Sequence, residues 1–360
     1  MSASPALPPE GDAAATTHER ELTAPVELCT PDGKRLRDDA RGWSRRPLHT
    51  ANLRGRWGRT KRWDYWALLT DDLAVSVTYA DVDYLGMVAI WWADLASGES
   101  GGREVVVPFA RGVSLPDLPG SRALTYRGHG VEVSLRDELG GTRLKATWQE
   151  RDDRHGRLEA FVELPPDHGS VNVVIPWSDT RFQYTSKHQA RPAYGELNVG
   201  DRHWPLGERN RGPETWGVLD VGRGRWPYRT RWNWGGGAGR STDGEHVVGL
   251  QVGGRWTEGT GATENGIVVD GTVVKLGREL AWTYDWDEPL APWRVTDPGG
   301  VLDLTLEPRY DRHARTNVLL LATEVHQVFG RWSGRVPTPD GGALEVRDLV
   351  GFAEESRSRW

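Results

Sequence analysis

Glu324 and His326 stand two residues apart in Thr316 to Phe329, an otherwise apolar run that reads as one long strand. On a strand this spacing puts both side chains on one face with Ala322 and Val328, and a carboxyl beside an imidazole there makes an acid–base couple. Polar groups among aliphatic neighbours are costly unless bonded or used, so the pair is either a catalytic couple or a satisfied structural one. His326 lacks second and third ligands at metal spacing, and no metal is expected. A second polar run, Gln183 to His188, contains Tyr184, Ser186, Lys187 and His188. Its lysine either orients an anionic head group near a cavity mouth, acts as an acid after burial lowers its pKa, or is simply a solvated loop residue. Asp220 precedes Gly222-Arg223-Gly224, with Arg225, Arg229 and Arg231 close behind. Such a carboxylate is expected to be ionised and to hold an arginine, for a carboxylate-bearing substrate or at a crossing between modules; as a catalytic acid it would need a raised pKa.

Nineteen tryptophans outnumber the nine tyrosines and five phenylalanines together. Trp232 and Trp234 are two apart, and Trp282, Tyr284 and Trp286 form an i, i+2, i+4 set, so each group projects from one strand face. Large rings of this kind fill barrel interiors, stack on sugars, or stabilise the carbocation formed when an acid protonates an alkene in a water-poor pocket. Asp285 and Asp287 share the face opposite the Trp282 set, which keeps a glycan-processing site in view. GGGAG from Gly235 precedes no helical pattern and reads as a turn, and Cys29 sits beside the turn Thr30-Pro31-Asp32-Gly33 with no histidine to activate it.

The elements that must position these residues are strands. Leu73, Val75, Val77 and Tyr79 alternate with Ala74, Ser76 and Thr78, and Leu302, Leu304 and Leu306 alternate with Asp303 and Thr305. The 44 glycines exceed the usual share of about 7% and fall largely in turn signals, among them Asp270-Gly271 between two Val-rich runs, a two-residue hairpin. A helical period is confined to a final turn at Glu354 to Trp360. The class is all-β with antiparallel neighbours. GRWGRTKRW from Gly55 and GRWPYRTRW from Gly224 match at five positions, Gly55, Arg56, Trp57, Arg62 and Trp63 pairing with Gly224, Arg225, Trp226, Arg231 and Trp232. We read a duplication: a disordered tail over 1–25, a first β module over 26–205 and a second over 206–360, closed as barrels or half-barrels to remove exposed edges.

Charge and composition set further bounds. The 45 basic and 51 acidic side chains are intermixed with a formal net charge of −6, which argues against nucleic acid as a partner. No apolar run of about 18 residues exists to span a bilayer. The single cysteine and the absence of a signal-peptide pattern suggest a cytoplasmic protein.

The segments LCTPDGKRLRDDARGWSRRPLHTANLRGRWGRTKRWDYW from Leu28, PWSDTRFQYTSKHQARPAYGEL from Pro176, TWGVLDVGRGRWPYRTRWNWGGGAG from Thr215 and the ending VFGRWSGRV…GFAEESRSRW resemble the domain of unknown function 2804 family. More distantly, Gly217, Asp220, Gly224 and Trp232-Asn233-Trp234 are similar to the carotenoid hydratase, AttH and tocopherol cyclase group, although Val221 stands where both patterns lead one to expect an aromatic. That resemblance implies two lipocalin-like, calycin-type modules around an apolar cavity, with Asn233 among the ligand-binding residues and no redox cofactor. It also implies hydration, isomerisation or cyclisation of an isoprenoid or lipid-like molecule. A non-catalytic carrier of such a molecule and a Trp-platform glycan protein remain as alternatives, and the oligomeric state is not readable.

Overall fold

The alternating runs form the strands Leu73–Asp81 and Asp303–Val318, and Asp270-Gly271 closes the hairpin between Asn265–Val269 and Thr272–Leu276, with both turn residues at positive φ. The computed structural model describes residues 17–208, 214–318 and 321–359. Among them the sole helical element is one three-residue 3₁₀ turn, Asp38–Ala40, and no helix is long and apolar enough to cross a membrane.

Two large antiparallel sheets account for most of the chain, and their strand orders repeat. In the first, Thr60–Leu69 leads outward through Leu73–Asp81 and Leu85–Asp94 to Ser100–Pro108. Its other edge bonds to Trp216–Arg225, the last strand of the module, which neighbours Arg181–Val199 and then His155–Glu163. In the second, Arg229–Arg240 leads outward through Val247–Gly254 and Asn265–Val269 to Thr272–Leu276, and its other edge bonds to the last strand, Ala343–Arg359, followed by Leu321–Pro337 and Asp303–Val318. First strand against last strand, with the opening between the fourth and fifth, is the path of an up-and-down barrel left unclosed. The protein is therefore a pair of duplicated lipocalin-like half-barrels, and the last four residues of each repeat copy, 60–63 and 229–232, open the first strand of their sheets.

Each half-barrel has its own apolar core: Trp92, Trp148, Leu144 and Val221 belong to the first, and Trp293, Trp332, Leu250 and Leu304 to the second. Val221, in place of an aromatic, is a buried member of the first core. Two further apolar clusters lie between the sheets, one around Trp216, Trp234 and Phe352, the other around Trp43, Trp226 and Trp256.

Five expectations change. GGGAG from Gly235, expected as a turn, lies within the strand Arg229–Arg240, where strands on both sides pair with it. The expected division at 205/206 does not coincide with the change of sheet: Trp216–Arg225 is bonded on both sides by first-module strands, and the second sheet begins at Arg229. Residues 17–25 are placed, not loose, since Glu19 is buried in an ion pair with Lys275 and Leu22 bonds to the Trp43 carbonyl; residues 1–16 lie outside the described residues. Thr316 to Phe329 is two strands, because the chain reverses where Val318 faces Leu321. The expected helical turn at Glu354 to Trp360 is the end of the strand Ala343–Arg359; neighbours on both sides offer a full ladder, which outweighs local helix propensity, and Trp360 is outside the described residues.

Candidate functional site

Between the modules lies a cavity of about 320 Å³, walled by Trp63, Tyr65, Trp226, Trp232, Trp234 and Trp256. Alternation explains its makeup. Along Arg181–Val199, Thr185 and Lys187 face the cavity, while Tyr184, Ser186 and His188 face away. On the facing module Val325 and Gln327 line it and Glu324 and His326 do not.

Lys187 is 5% exposed and fully engaged. Its Nζ lies 3.0 Å from Asp220 Oδ1, 3.2 Å from Glu264 Oε2 and 4.1 Å from the Trp234 ring centre. Burial works against the ammonium most strongly, but Asp220 and Glu264 outweigh it and raise the lysine above its ordinary value. Glu264 is itself raised by burial, against the pull of Lys187. Every carboxylate here accepts an indole N–H: Trp63 Nε1 to Asp220 at 2.9 Å, Trp256 Nε1 to Glu264 at 2.7 Å and Trp232 Nε1 to Glu354 at 2.7 Å. The tryptophans thus supply both apolar wall and donors.

The duplication builds the same unit twice. Trp63 stands opposite Gly222 and reaches the carboxylate two residues away, Asp220; Trp232 stands opposite Ser356 and reaches Glu354, also two residues away. On the next strand Lys187 is opposite Asp220 and Gln327 is opposite Glu354, donating to its Oε2 at 2.9 Å. One carboxylate therefore has an ammonium beside it and the other a neutral amide. Burial pushes Glu354 up to about 7, with the Trp232 bond and Lys187 opposing. At neutral pH this carboxyl holds a proton in a substantial fraction of molecules, enclosed by aromatic faces.

A family model described as Domain of unknown function (DUF2804) matches residues 19–360. The chain belongs to that family. No curated protein matches its sequence. Among solved structures this DUF2804 chain is similar to kievitone hydratase from Nectria haematococca at 10% identity and a TM-score of 0.47, covering 83% of this chain and 88% of that one. It is also similar to CghA, at 11% identity and 0.43 over 86% and 90%, and to a putative AttH from Nitrosomonas europaea, at 12% identity and 0.43 over 82% and 92%. At these identities and scores the likenesses bear on neither substrate nor site residues.

Of the residues singled out in the sequence, the DUF2804 fold brings Lys187, Asp220, Trp232 and Trp234 to the cavity. Lys187 is a strand residue already shared by two carboxylates, so it does not sit at a mouth awaiting an anionic head group. Asp220 pairs with this lysine rather than an arginine; Arg223 goes to Asp64, and Arg231 to Glu355. Tyr184 packs on the other face, against His49 at 4.6 Å, in the cluster around Leu28 and Phe182. Asn233 points into the second module, where its amide donates to Tyr284 Oη at 3.0 Å and its oxygen accepts from Arg255. Trp282 packs beside the second core. Trp286 lies edge-on to His326 at 4.5 Å with the Arg357 guanidinium 3.6 Å above its ring. His326 bonds Asp311 at 2.8 Å, Glu324 bonds His313 at 3.1 Å, and the two histidines stack at 4.1 Å, all on the face away from the cavity. Asp285 accepts from the backbone of Asp287 in an exposed turn. The reading of the sequence missed Glu354, Glu264, Gln327, Trp226 and Trp256. The repeat carried one usable signal, for it equates Trp63 with Trp232 and so points to a carboxylate on the strand closing each sheet. Among the described residues no group of three His, Cys, Asp or Glu side chains is placed to hold a metal ion.

Proposed function

We propose that the protein binds an apolar small molecule in the cavity between its modules and protonates it from Glu354, isomerising, hydrating or cyclising it. The observation that carries this reading is a carboxyl titrating near neutrality inside an aromatic enclosure. Its proton adds to an alkene carbon, and the indole faces of Trp232 and Trp234 stabilise the cation that results. Loss of a neighbouring proton then completes isomerisation, attack by water followed by loss of a proton from the resulting oxonium completes hydration, and attack by a second double bond followed by loss of a proton from the new cation completes cyclisation, the Glu354 carboxylate regaining its proton in each case. Asp220 from the first module and Glu264 from the second, both held by Lys187, set carboxyl oxygens around the cation. Proton transfer from Oε2 requires the Gln327 amide to turn, because its N–H₂ now donates to that oxygen while Arg312 donates to the amide oxygen at 3.3 Å. The cavity is at the lower end of the small-molecule range, which favours a compact ligand.

A non-catalytic carrier is the second reading, favoured by the fact that both oxygens of Glu354 already accept hydrogen bonds. Small molecules that copurify with the protein, identified by mass spectrometry, supply the probe for both. Incubated with protein in D₂O, that ligand is expected to gain deuterium at carbon, and Glu354→Gln is expected to bind it without exchange. Binding with no deuterium uptake by the native protein would establish the carrier.

A further inference from the structure

The interior of the first module holds another cavity, of about 540 Å³, on the side of the Arg181–Val199 strand away from Lys187. Arg191 lines it at 3% exposure, its guanidinium over the Trp66 ring at 5.2 Å. Nε donates to the Glu163 carbonyl at 2.8 Å and Nη2 to the Val162 carbonyl at 3.1 Å, bonds that fix the group without neutralising it. Among the described residues no carboxylate reaches ion-pair distance of Arg191. Its link to an acid runs through Thr142, whose Oγ1 is 3.5 Å from Nη2 and donates to Asp137 at 2.7 Å. The other acids of the lining are taken: Asp64 by Arg223, Glu138 by Arg143 and Asp167 by Arg46. A guanidinium withdrawn from water with no anion beside it is costly, and an incoming carboxylate relieves that cost.

His188 faces the same cavity, and its neighbours set its tautomer. The Asn172 amide nitrogen donates to Ser44 O and Ser170 O, so Asn172 Oδ1 must accept the Ser186 hydroxyl at 2.5 Å. Ser186 Oγ, 2.9 Å from His188 Nε2, then has only a lone pair for that nitrogen, which must carry the hydrogen. Nδ1 is left as an acceptor, and burial with Arg191 nearby keeps the ring neutral. Leu135, Leu219 and Val221 provide apolar wall.

We propose that this interior cavity is a second binding site, for a small carboxylic acid with an apolar body, its carboxylate on Arg191 and its body against Trp66 and the aliphatic wall. The inference is independent of the proton-transfer site, which lies across the sheet. Titration of the full chain with sodium octanoate and with octanamide, a neutral analogue of the same shape, tests it. Octanoate is expected to shift the indole N–H resonance of Trp66, assigned with Trp66→Phe, and to leave those of Trp232 and Trp234 in place. Octanamide should bind at least about tenfold more weakly, and Arg191→Met should erase that preference while Glu354→Gln keeps it. Equal binding of acid and amide, shifts confined to Trp232 and Trp234, or no shift at Trp66 at saturating octanoate would each overturn the proposal. The resonance shifts in the native chain decide the matter even where Arg191→Met fails to fold.

Discussion

Lys187 and Gln327 hold the same register position in the two modules, and the difference between an ammonium and an amide separates an ion-paired carboxylate from a proton-holding one. Glu354 has its pKa raised from 4.5 to about 7, so the folded protein binds a proton that the unfolded chain has released over that interval. The stability it contributes is present below about pH 4.5 and is lost as pH rises through about 7. Chemical denaturation across this range should show that decline, and Glu354→Gln should flatten it; turnover by the native protein should fall above about pH 7 as the acid form disappears. Gln327→Lys places a cation where the first module has one, and should drive Glu354 to its ionised form. Deuterium exchange into ligand is then expected to drop at neutral pH and recover on acidification, while ligand affinity changes little. Asp220 and both tryptophans of Trp232-Asn233-Trp234 were legible in the sequence because they fall in or beside the repeat, and Lys187 because it stands in the polar run Gln183 to His188. Glu354 was not, since a charged chain end such as Glu354-Glu355-Ser356-Arg357 has ordinary helix propensity and only its two neighbouring strands make it extended.

At the scale of elements, period-two alternation decides which half of each strand reaches which cavity. Gly222 shows how closely the strands are fitted: a Cβ there would come within 2.1 Å of the Trp63 indole, which lies across it to reach Asp220. Gly222→Ala is expected to displace Trp63, cost on the order of 1–3 kcal/mol and weaken ligand binding. Thermal melts and a ligand titration on the variant check both, and unchanged values would mean that the Trp63 ring is not held against Gly222. Alternation also explains the fate of Glu324 and His326. They do share a face, as their spacing required, but the antiparallel pairing of Asp303–Val318 with Leu321–Pro337 turns that face toward Asp311 and His313. Val318 to Ala322 is a continuous aliphatic run without Gly, Pro or Asp, so in the sequence the reversal reads as uninterrupted strand.

At the scale of the molecule, the cavity around Glu354 belongs to neither module alone. Trp226, in the short link between the sheets, stacks on Trp256 at 5.2 Å, touches Trp63 and Trp232, and donates to Gln183 at 2.8 Å. Trp226→Ala removes a ring shared by both sides, and should cost about 3–5 kcal/mol. Because the modules meet through this cluster, the loss is expected to lower one common unfolding transition in calorimetry rather than split it; two separated transitions would mean that the modules fold independently.

The amino-acid sequence determined what depends on local pattern: strands from alternation, the Asp270-Gly271 turn from its residues, and two modules from a repeat in which Trp63 answers to Trp232. These follow from the geometry of a pleated strand and are insensitive to what lies far along the chain. Only the tertiary structure decided which faces of those strands meet, and hence that Glu354, Glu264 and Asp220 surround one space while His326 and Asn233 look elsewhere. The physical reason is that a buried carboxyl takes its pKa from neighbours distant in sequence, here Trp232 and Lys187 against burial itself, and those neighbours are assembled only when the two half-barrels close on each other.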